Sequence, residues 1–307
     1  EKKMDERELM QSFQQILENF SQVLTYGGHS FTYRFLNNRW RNYSDADCFS
    51  SEDTADLTLF QSVRQLDIQK DISPFRHLLS LENTRKATAE AFIRYTRPEH
   101  LDPETLVKCY TSWELSKEDT LLLQLKTHEA DMIGLLHLHS LSAYTQFFRG
   151  RFAKVHLCRL EENFCHLALI LETPVPQRVQ LSNALLSLSL EKDTAHLVIP
   201  VLSGELKYFL PGPVKDYYYL PKEDRAIHRS IACYVDKAYR QKATAATCYI
   251  RQEGIFLPSF DTSLQPTFKK SFDDKQLYIL CDTEKLTSDP AFLRSYISSL
   301  IKEVASV

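Results

Sequence analysis

The spacing of apolar residues changes abruptly near Gly150, and this change favours a fold made of two parts. Before Gly150, apolar residues recur every three or four positions over long stretches, which is typical of amphipathic helices. After it, short runs rich in Val, Leu and Ile are separated by Pro and turn residues, which predicts antiparallel strands. We therefore predict an α/β domain over residues 1–150, followed by an α+β module with antiparallel strands over residues 151–307.

Local patterns refine this prediction at several places. Residues 5–23 are predicted to be an amphipathic helix with one apolar stripe. The stripe contains Leu9, Phe13, Ile16, Leu17 and Phe20. A short strand at 23–26 stops at a Gly-Gly pair, and a helix follows over 31–40. In the second part, we predict a helix over 222–241 and a hairpin that turns at Glu253-Gly254.

Composition excludes several classes of protein. The chain contains only seven glycines and neither of the glycine-rich phosphate-binding motifs, which argues against P-loop and Rossmann nucleotide enzymes. The net charge of −3 provides no general attraction to nucleic acid. Seven cysteines without a C-x-x-C pair indicate reduced thiols and a cytoplasmic location. No apolar run reaches the roughly 20 residues that span a bilayer, so we expect no membrane association.

Two segments in the first part contain residue types that belong to a metal-dependent site. The first, residues 24–36, places Tyr26 and Gly28 at the end of a strand and Phe31-Thr32 three residues further on. The second is a leucine-rich stretch from 121 to 144 that contains His128, Asp131, Gly134 and Tyr144 at helical spacing.

Together these segments resemble the second and third motifs of the DEDD-type 3′–5′ exonucleases, which have a ribonuclease H-like fold. The closest resemblance is to the bacterial YprB-type proteins, and it covers roughly residues 8–148. In that family, the position of Thr32 is an aspartate that binds metal, and Asp131 lies at the position of the last metal-binding aspartate. Thr127 and His128 stand at the positions of the family's His-Asn pair. The first family motif, a strand with Asp-x-Glu, is expected upstream of residue 24, so the sheet is expected to be incomplete.

The resemblance implies two-metal cleavage of nucleic acid, but the ligands in this sequence do not suit that chemistry. A pair of Mg²⁺ or Mn²⁺ ions requires several carboxylates. Asp131 is the one family acid that remains, and it is the candidate metal ligand. Thr32 has a neutral hydroxyl that binds Mg²⁺ poorly, and no His–Asp pair near it in the sequence supports a nucleophile, so we interpret it as a relic. We therefore expect the exonuclease site to be inactive.

Other residues allow more than one interpretation. His128 lies one helical turn before Asp131, so the two can share a proton or a metal, or they can form a surface ion pair. Tyr26 and Phe31 are candidate contacts to nucleic acid. In the second part, Lys222, Arg225 and Arg229 follow three tyrosines and can hold a phosphate backbone, or they can be a solvated helix face.

Three functions follow from these alternatives. The first is a protein that associates with DNA or RNA and has an inactive nuclease site. The second is an active Mg²⁺- or Mn²⁺-dependent 3′–5′ exonuclease whose missing acids lie in a segment before residue 1. The third is a structural module that binds another protein.

Overall fold

The computed structural model describes residues 5–43, 59–97, 102–116 and 121–306. The chain divides into two compact units, residues 1–145 and residues 146–307. The domain bounds predicted from the sequence, residues 1–150 and 151–307, stay a prediction.

The first unit contains a parallel pair of strands with helices around it. Strand β1 (Gln22–Thr25) pairs with β2 (Arg64–Asp67) in register, so both strands end at the same edge. Parallel strands need a crossover connection, and a helix lies in the one between these two. The helices are α1 (Glu6–Leu17), α2 (Thr32–Tyr43), α3 (Ile68–Ile72), α4 (Lys86–Phe92), α5 (Pro103–Ser116), α6 (Leu121–Leu138) and α7 (Ser142–Phe148), which ends in the second unit. This arrangement confirms the predicted α/β class.

The core of the first unit confirms Phe13 and Leu17 of the stripe predicted on α1 and contradicts the other three residues of that stripe. Met10 and Leu17 are buried with Tyr33 and Phe60, and Phe13 packs against them. Leu9, Ile16 and Phe20 are instead more than half exposed. Met10, Phe13 and Leu17 have the i, i+3, i+7 spacing of a single helix face, so the buried face is rotated from the predicted one.

The second unit is built from antiparallel sheets, as predicted. Its largest sheet has five strands in the order β3-β4-β7-β6-β5. These strands are β3 (Lys154–Glu161), β4 (Phe164–Ile170), β5 (Val179–Ser182), β6 (Ser187–Glu191) and β7 (Thr194–Pro200). Buried and more exposed residues alternate along β6 and β7, as in strands with one face on a core.

Two three-stranded sheets and three helices complete the second unit. The sheets have the orders β13-β12-β8 and β10-β9-β11. Their strands are β8 (Leu202–Phe209), β9 (Tyr217–Leu220), β10 (Arg225–His228), β11 (Gln241–Lys242), β12 (Tyr249–Ser259) and β13 (Leu277–Leu280). The helices are α8 (Arg229–Ala232), α9 (Thr283–Ser288) and α10 (Pro290–Ser306). In the described part of the chain, none of the helices has the length and apolarity that a membrane crossing requires.

Two local predictions in this unit were wrong. The helix predicted over 222–241 is a strand, one short helical turn and a 3₁₀ turn, because β9 and β10 pair as a hairpin. The turn predicted at Glu253-Gly254 is the middle of β12, where Gly254 pairs with Gly204 of β8. Strand pairing determines the structure in both places, within a short hairpin for β10 and with the distant strand β8 for β12, and local propensity does not contain it.

Gly150 ends α7 with the hydrogen bonds of a Schellman motif. Its N–H donates to the Phe147 carbonyl at 2.7 Å, and the Arg151 N–H donates to the Gln146 carbonyl at 2.9 Å. Gly150 has a φ of +82°, and a Cβ atom there would lie 2.2 Å from the Arg294 carbonyl oxygen. Both the conformation and the close backbone contact therefore require glycine.

We expect Gly150→Ala to lower the free energy of unfolding by at least about 2 kcal/mol more than Gly212→Ala does. Gly212 is the matched control because it has a φ of +94° but no heavy atom within 4 Å of its added Cβ. Urea denaturation of the two variants measures the difference. Equal losses would show that the contact with Arg294 is unimportant.

Candidate functional site at the carboxyl ends of the parallel strands

The carboxyl ends of β1 and β2 are joined through the buried side chain of Asp67. Its Oδ1 accepts a hydrogen bond from the Gly27 N–H at 2.8 Å, and its Oδ2 accepts one from the His29 N–H at 2.9 Å. The same carboxylate caps α3 by accepting from the Gln69 and Lys70 N–H groups. One side chain therefore holds both the loop after β1 and the helix after β2.

These backbone donors keep Asp67 ionised although it is buried. Burial raises the pKa of a carboxyl group because it disfavours the charged form. Here the hydrogen bonds from His29, Gly27 and Lys70 together outweigh burial, and the pKa of Asp67 lies below its ordinary value. The analysis of the sequence missed Asp67, although an aspartate between a strand and a helix is a recognisable N-cap signal.

The loop after β1 is packed too tightly for side chains at its two glycines. An added Cβ at Gly27 would lie 2.7 Å from Gln69 Oε1, and Gly27 has a φ of +78°. An added Cβ at Gly28 would lie 2.4 Å from Thr25 Oγ1. Glycine at both positions lets the loop approach Asp67.

Tyr26 connects this loop to the segment before α4. Its hydroxyl donates to the Thr84 carbonyl at 2.9 Å, and Gln69 Nε2 donates to the same oxygen at 2.9 Å. Burial, and then the negative charge of Glu90, raise the pKa of Tyr26 well above its ordinary value. Tyr26 is therefore a neutral donor whose hydroxyl is engaged with the backbone.

Asp131 on α6 is held by two cations. Its Oδ1 lies 2.7 Å from Lys86 Nζ and 2.9 Å from Arg97 Nη1. Arg97 also makes charge-assisted hydrogen bonds to Glu90, with Nη2 2.8 Å from Oε1. The two cations and two carboxylates form one network of balanced charge.

The network depends on a close approach of α4 to α6. Glu90 is only 6% exposed, so its charge needs the Arg97 partner. A Cβ at Gly134 would lie 3.0 Å from Glu90 Oε1 and 3.0 Å from Tyr95 Cε1, which leaves little room for any larger residue. The Tyr95 ring also stacks on His137 with centroids 4.7 Å apart.

Thr32 and Asp131, the residues that the sequence analysis assigned to a metal site, do not fit a pair of divalent metal ions. Thr32 is an exposed residue at the start of α2 and offers only a neutral hydroxyl. The ion partners of Asp131 in the described part of the chain are Lys86 and Arg97, and His128 is not one of them. Within residues 5–43, 59–97, 102–116 and 121–306, no three His, Cys, Asp or Glu side chains are placed to share a metal.

An exposed row of side chains begins at Phe31, the residue before Thr32, and continues along α2. The Phe31 and Phe35 rings stack with centroids 5.6 Å apart and planes 14° apart, although their side chains are 68% and 46% exposed. The guanidinium carbon of Arg39 lies 5.6 Å from the centre of the Phe35 ring. We name Phe31, Phe35 and Arg39 the α2 ladder. Of these three residues, the sequence analysis proposed only Phe31, although Phe31, Phe35 and Arg39 have the i, i+4, i+8 spacing of one helix face.

The three basic residues proposed in the second unit do not lie along one helix. Lys222 Nζ lies 4.5 Å from the centre of the Tyr239 ring. Arg225 pairs with Glu223 at 2.7 Å, and Arg229 pairs with Asp216 at 3.1 Å. Two of the three cations therefore have acidic partners.

Residues 1–142 match the family model described as the RNase_H superfamily. No curated protein and no solved structure matches the chain significantly. The first unit is therefore RNase H-like, which agrees with the predicted fold class, and the superfamily is of nuclease type. The finer assignments, to the YprB-type proteins and to a degenerate DEDD site, stay predictions.

We expect Asp67→Asn to lower the free energy of unfolding by about 1–3 kcal/mol near neutral pH. An amide has one accepting oxygen where the carboxylate has two, so buried N–H groups lose a partner. Because the folded pKa of Asp67 is lowered, its contribution is complete above the unfolded pKa of about 3.9 and is lost as the pH falls through the folded pKa. Denaturation at several pH values, with the exposed Glu82→Gln as control, measures this. If the loss in the free energy of unfolding did not change with pH, the ionised carboxylate of Asp67 would not be the source of the stabilisation.

A second prediction concerns the charge network. Arg97→Met leaves Glu90 buried without its partner, so we expect a loss of about 3–5 kcal/mol in the free energy of unfolding. Glu90→Gln in the same chain should recover part of this loss. The control, Lys108→Met, removes an exposed ion pair with Glu104 and should cost less than about 1 kcal/mol. Denaturation curves that show equal losses for Arg97→Met and Lys108→Met would refute the prediction.

Proposed function

We propose that the RNase H-like unit binds single-stranded nucleic acid and does not cleave it. The observation that carries this proposal is the pairing of the Asp131 carboxylate with Lys86 and Arg97. The match to a nuclease-type superfamily supports a role with nucleic acid. The pairing at Asp131, with Thr32 in the place of an acid, supports the loss of cleavage.

Charge explains why a metal ion would be disfavoured at Asp131. At about 4 Å and an effective dielectric constant of about 20, two like unit charges repel by about 4 kcal/mol. A divalent ion next to Lys86 or Arg97 would therefore meet a repulsion of roughly 8 kcal/mol from each cation. The single carboxylate of Asp131 does not offset this repulsion, because a two-metal centre needs several hard oxygen ligands.

The α2 ladder provides the surface for binding. Stacking of a base on an aromatic side chain contributes about 1–3 kcal/mol, and arginine adds a cation–π contribution and attraction to phosphate. Phe31 and Phe35 present exposed rings, and Arg39 lies at the end of the same row, where its Nε also pairs with Glu6 Oε1 at 3.2 Å. Because the chain has a net charge of −3, binding should depend on this local surface.

The experiment uses the full chain with a fluorescent single-stranded oligonucleotide, as DNA and as RNA. We expect binding in EDTA and no shortening of the oligonucleotide with Mn²⁺ or Mg²⁺. The double variant Phe31→Ala and Phe35→Ala should weaken binding by about 10- to 100-fold. Phe20→Ala is the matched control, because Phe20 is 58% exposed in the same unit but lies outside the ladder.

The other outcomes distinguish the rival functions. Cleavage that requires Mn²⁺ or Mg²⁺ would support the active exonuclease and overturn the proposal. An absence of both binding and cleavage would support the structural module. Equal weakening by Phe20→Ala and by the double variant would show that the α2 ladder is not the binding surface.

A further inference from the structure

A basic and aromatic surface lies on one face of the three-stranded sheet β10-β9-β11. Residues 215–242, which contain this sheet, include seven Lys and Arg but only four Asp and Glu, so their net charge is +3. The whole chain has a net charge of −3, so the rest of it is acidic. An anionic partner is therefore attracted to this segment and repelled by the remainder of the chain.

Tyr218 on β9 lies beside two cations. The guanidinium carbon of Arg240 lies 5.1 Å from the centre of the Tyr218 ring, and the guanidinium also donates to the Ala232 carbonyl. Lys242 on β11 is directly opposite Tyr218 in the register of the two strands, so both side chains point to the same face. A cation over an aromatic ring is held in place without a carboxylate, so its other N–H groups remain able to donate to a phosphate.

A small cleft opens on the same face of the sheet. It has a volume of about 300 Å³ and is lined by Leu220, Lys222, Glu223, Val235 and Tyr239. Leu220 lies two residues after Tyr218 on β9, so the cleft and the Tyr218 ring share one face. Lys222 Nζ lies 4.5 Å from the centre of the Tyr239 ring, and Tyr239 is 51% exposed. An aromatic wall beside a cation suits an unstacked base with its phosphate.

The cations on this face have no acidic partners in the part of the chain that the structure describes. Lys222, Arg240 and Lys242 form no ion pair with a described Asp or Glu. The nearby acids are bound to other groups: Asp216 pairs with Arg229, Glu223 with Arg225, and Asp224 with Arg251. Neighbouring cations repel one another unless an anion compensates their charge, so this arrangement indicates a site for phosphates.

We propose that this face is a second contact for the single-stranded nucleic acid that the first unit binds. We name it the β9 surface, and it consists of Tyr218, Lys222, Tyr239, Arg240 and Lys242. The inference rests on the proposed function and extends it, because it assigns a binding role to the second unit. The three cations bind phosphates, and one base enters the cleft and stacks on Tyr239. The aromatic wall favours nucleic acid over a lipid headgroup, which has no base to stack.

The first test measures how binding of a fluorescent single-stranded oligonucleotide to the full chain depends on salt. The triple variant Lys222→Gln, Arg240→Gln and Lys242→Gln should bind about 10- to 100-fold more weakly at low salt, because lost phosphate contacts release fewer counterions. The slope of log affinity against log salt concentration should become shallower by about 2, at about 0.7 for each contact. The control removes three exposed lysines of the same unit outside the β9 surface and should keep the slope: Lys154→Gln, Lys192→Gln and Lys275→Gln.

The second test concerns the cleft. Tyr239→Ala should weaken binding at least about fivefold, because it removes the ring on which a base stacks. Tyr239→Phe keeps the ring and should bind like the unaltered chain. Tyr234→Ala is the matched control, because Tyr234 is 89% exposed and does not line the cleft. Urea denaturation with unchanged midpoints shows that the variants are folded.

The outcomes separate this inference from the proposed function. If the unaltered chain does not bind the oligonucleotide, both are wrong. If it binds, and the triple variant has the affinity and slope of its control, the β9 surface is not a contact and the α2 ladder is unaffected. Equal weakening by Tyr234→Ala and Tyr239→Ala would show that the cleft does not receive the base.

Two further comparisons complete the test. The double variant Phe31→Ala and Phe35→Ala should weaken binding and keep the slope, because it removes no cation. Association with phosphatidylserine vesicles that requires Lys222, Arg240 and Lys242, without an effect of these residues on the oligonucleotide, would indicate a lipid surface and overturn the proposal.

Discussion

The carboxylate of Asp67 is the interaction on which the arrangement of the first unit depends. Two parallel strands alone make few hydrogen bonds, and short sheets of this kind need support from neighbouring segments. Asp67 provides that support because its two oxygens accept from the loop after β1 and from the first turn of α3. The chain can form all of these contacts only when both strands end at the same level, so Asp67 also fixes their register.

The loop held by Asp67 leads to the charge network on α4 and α6. Tyr26 connects the loop to Thr84, which lies two residues before Lys86. Lys86 and Arg97 then reach Asp131 from α4 and from the segment after it. The acid on α6 is held by lysine and arginine, so it remains paired without a divalent ion.

Local sequence patterns predicted the elements whose structure is decided locally. The strand at β1, helix α2 and the antiparallel strands after Gly150 all agree with their periodicity and turn residues. The buried face of α1, the strands β9 and β10 and the passage of β12 through Glu253-Gly254 were missed. The outcome depends on packing or pairing with distant residues for α1 and β12 and on pairing with the adjacent strand for β9 and β10, none of which local periodicity contains.

The residues of the candidate site were likewise only partly predictable from the sequence. Asp131, Thr32 and Phe31 could be singled out by their position in motifs, but the partners of Asp131 could not, because Lys86 lies 45 residues away along the chain. Those partners change what the Asp131 carboxylate is available to bind. A carboxylate without cationic neighbours is available to bind a metal ion. A carboxylate with two cations within 3 Å already has its negative charge compensated. An aspartate at position 32 would add one ligand and would leave Lys86 and Arg97 beside Asp131, so in the proposed function the whole network, rather than one residue, disfavours a metal ion.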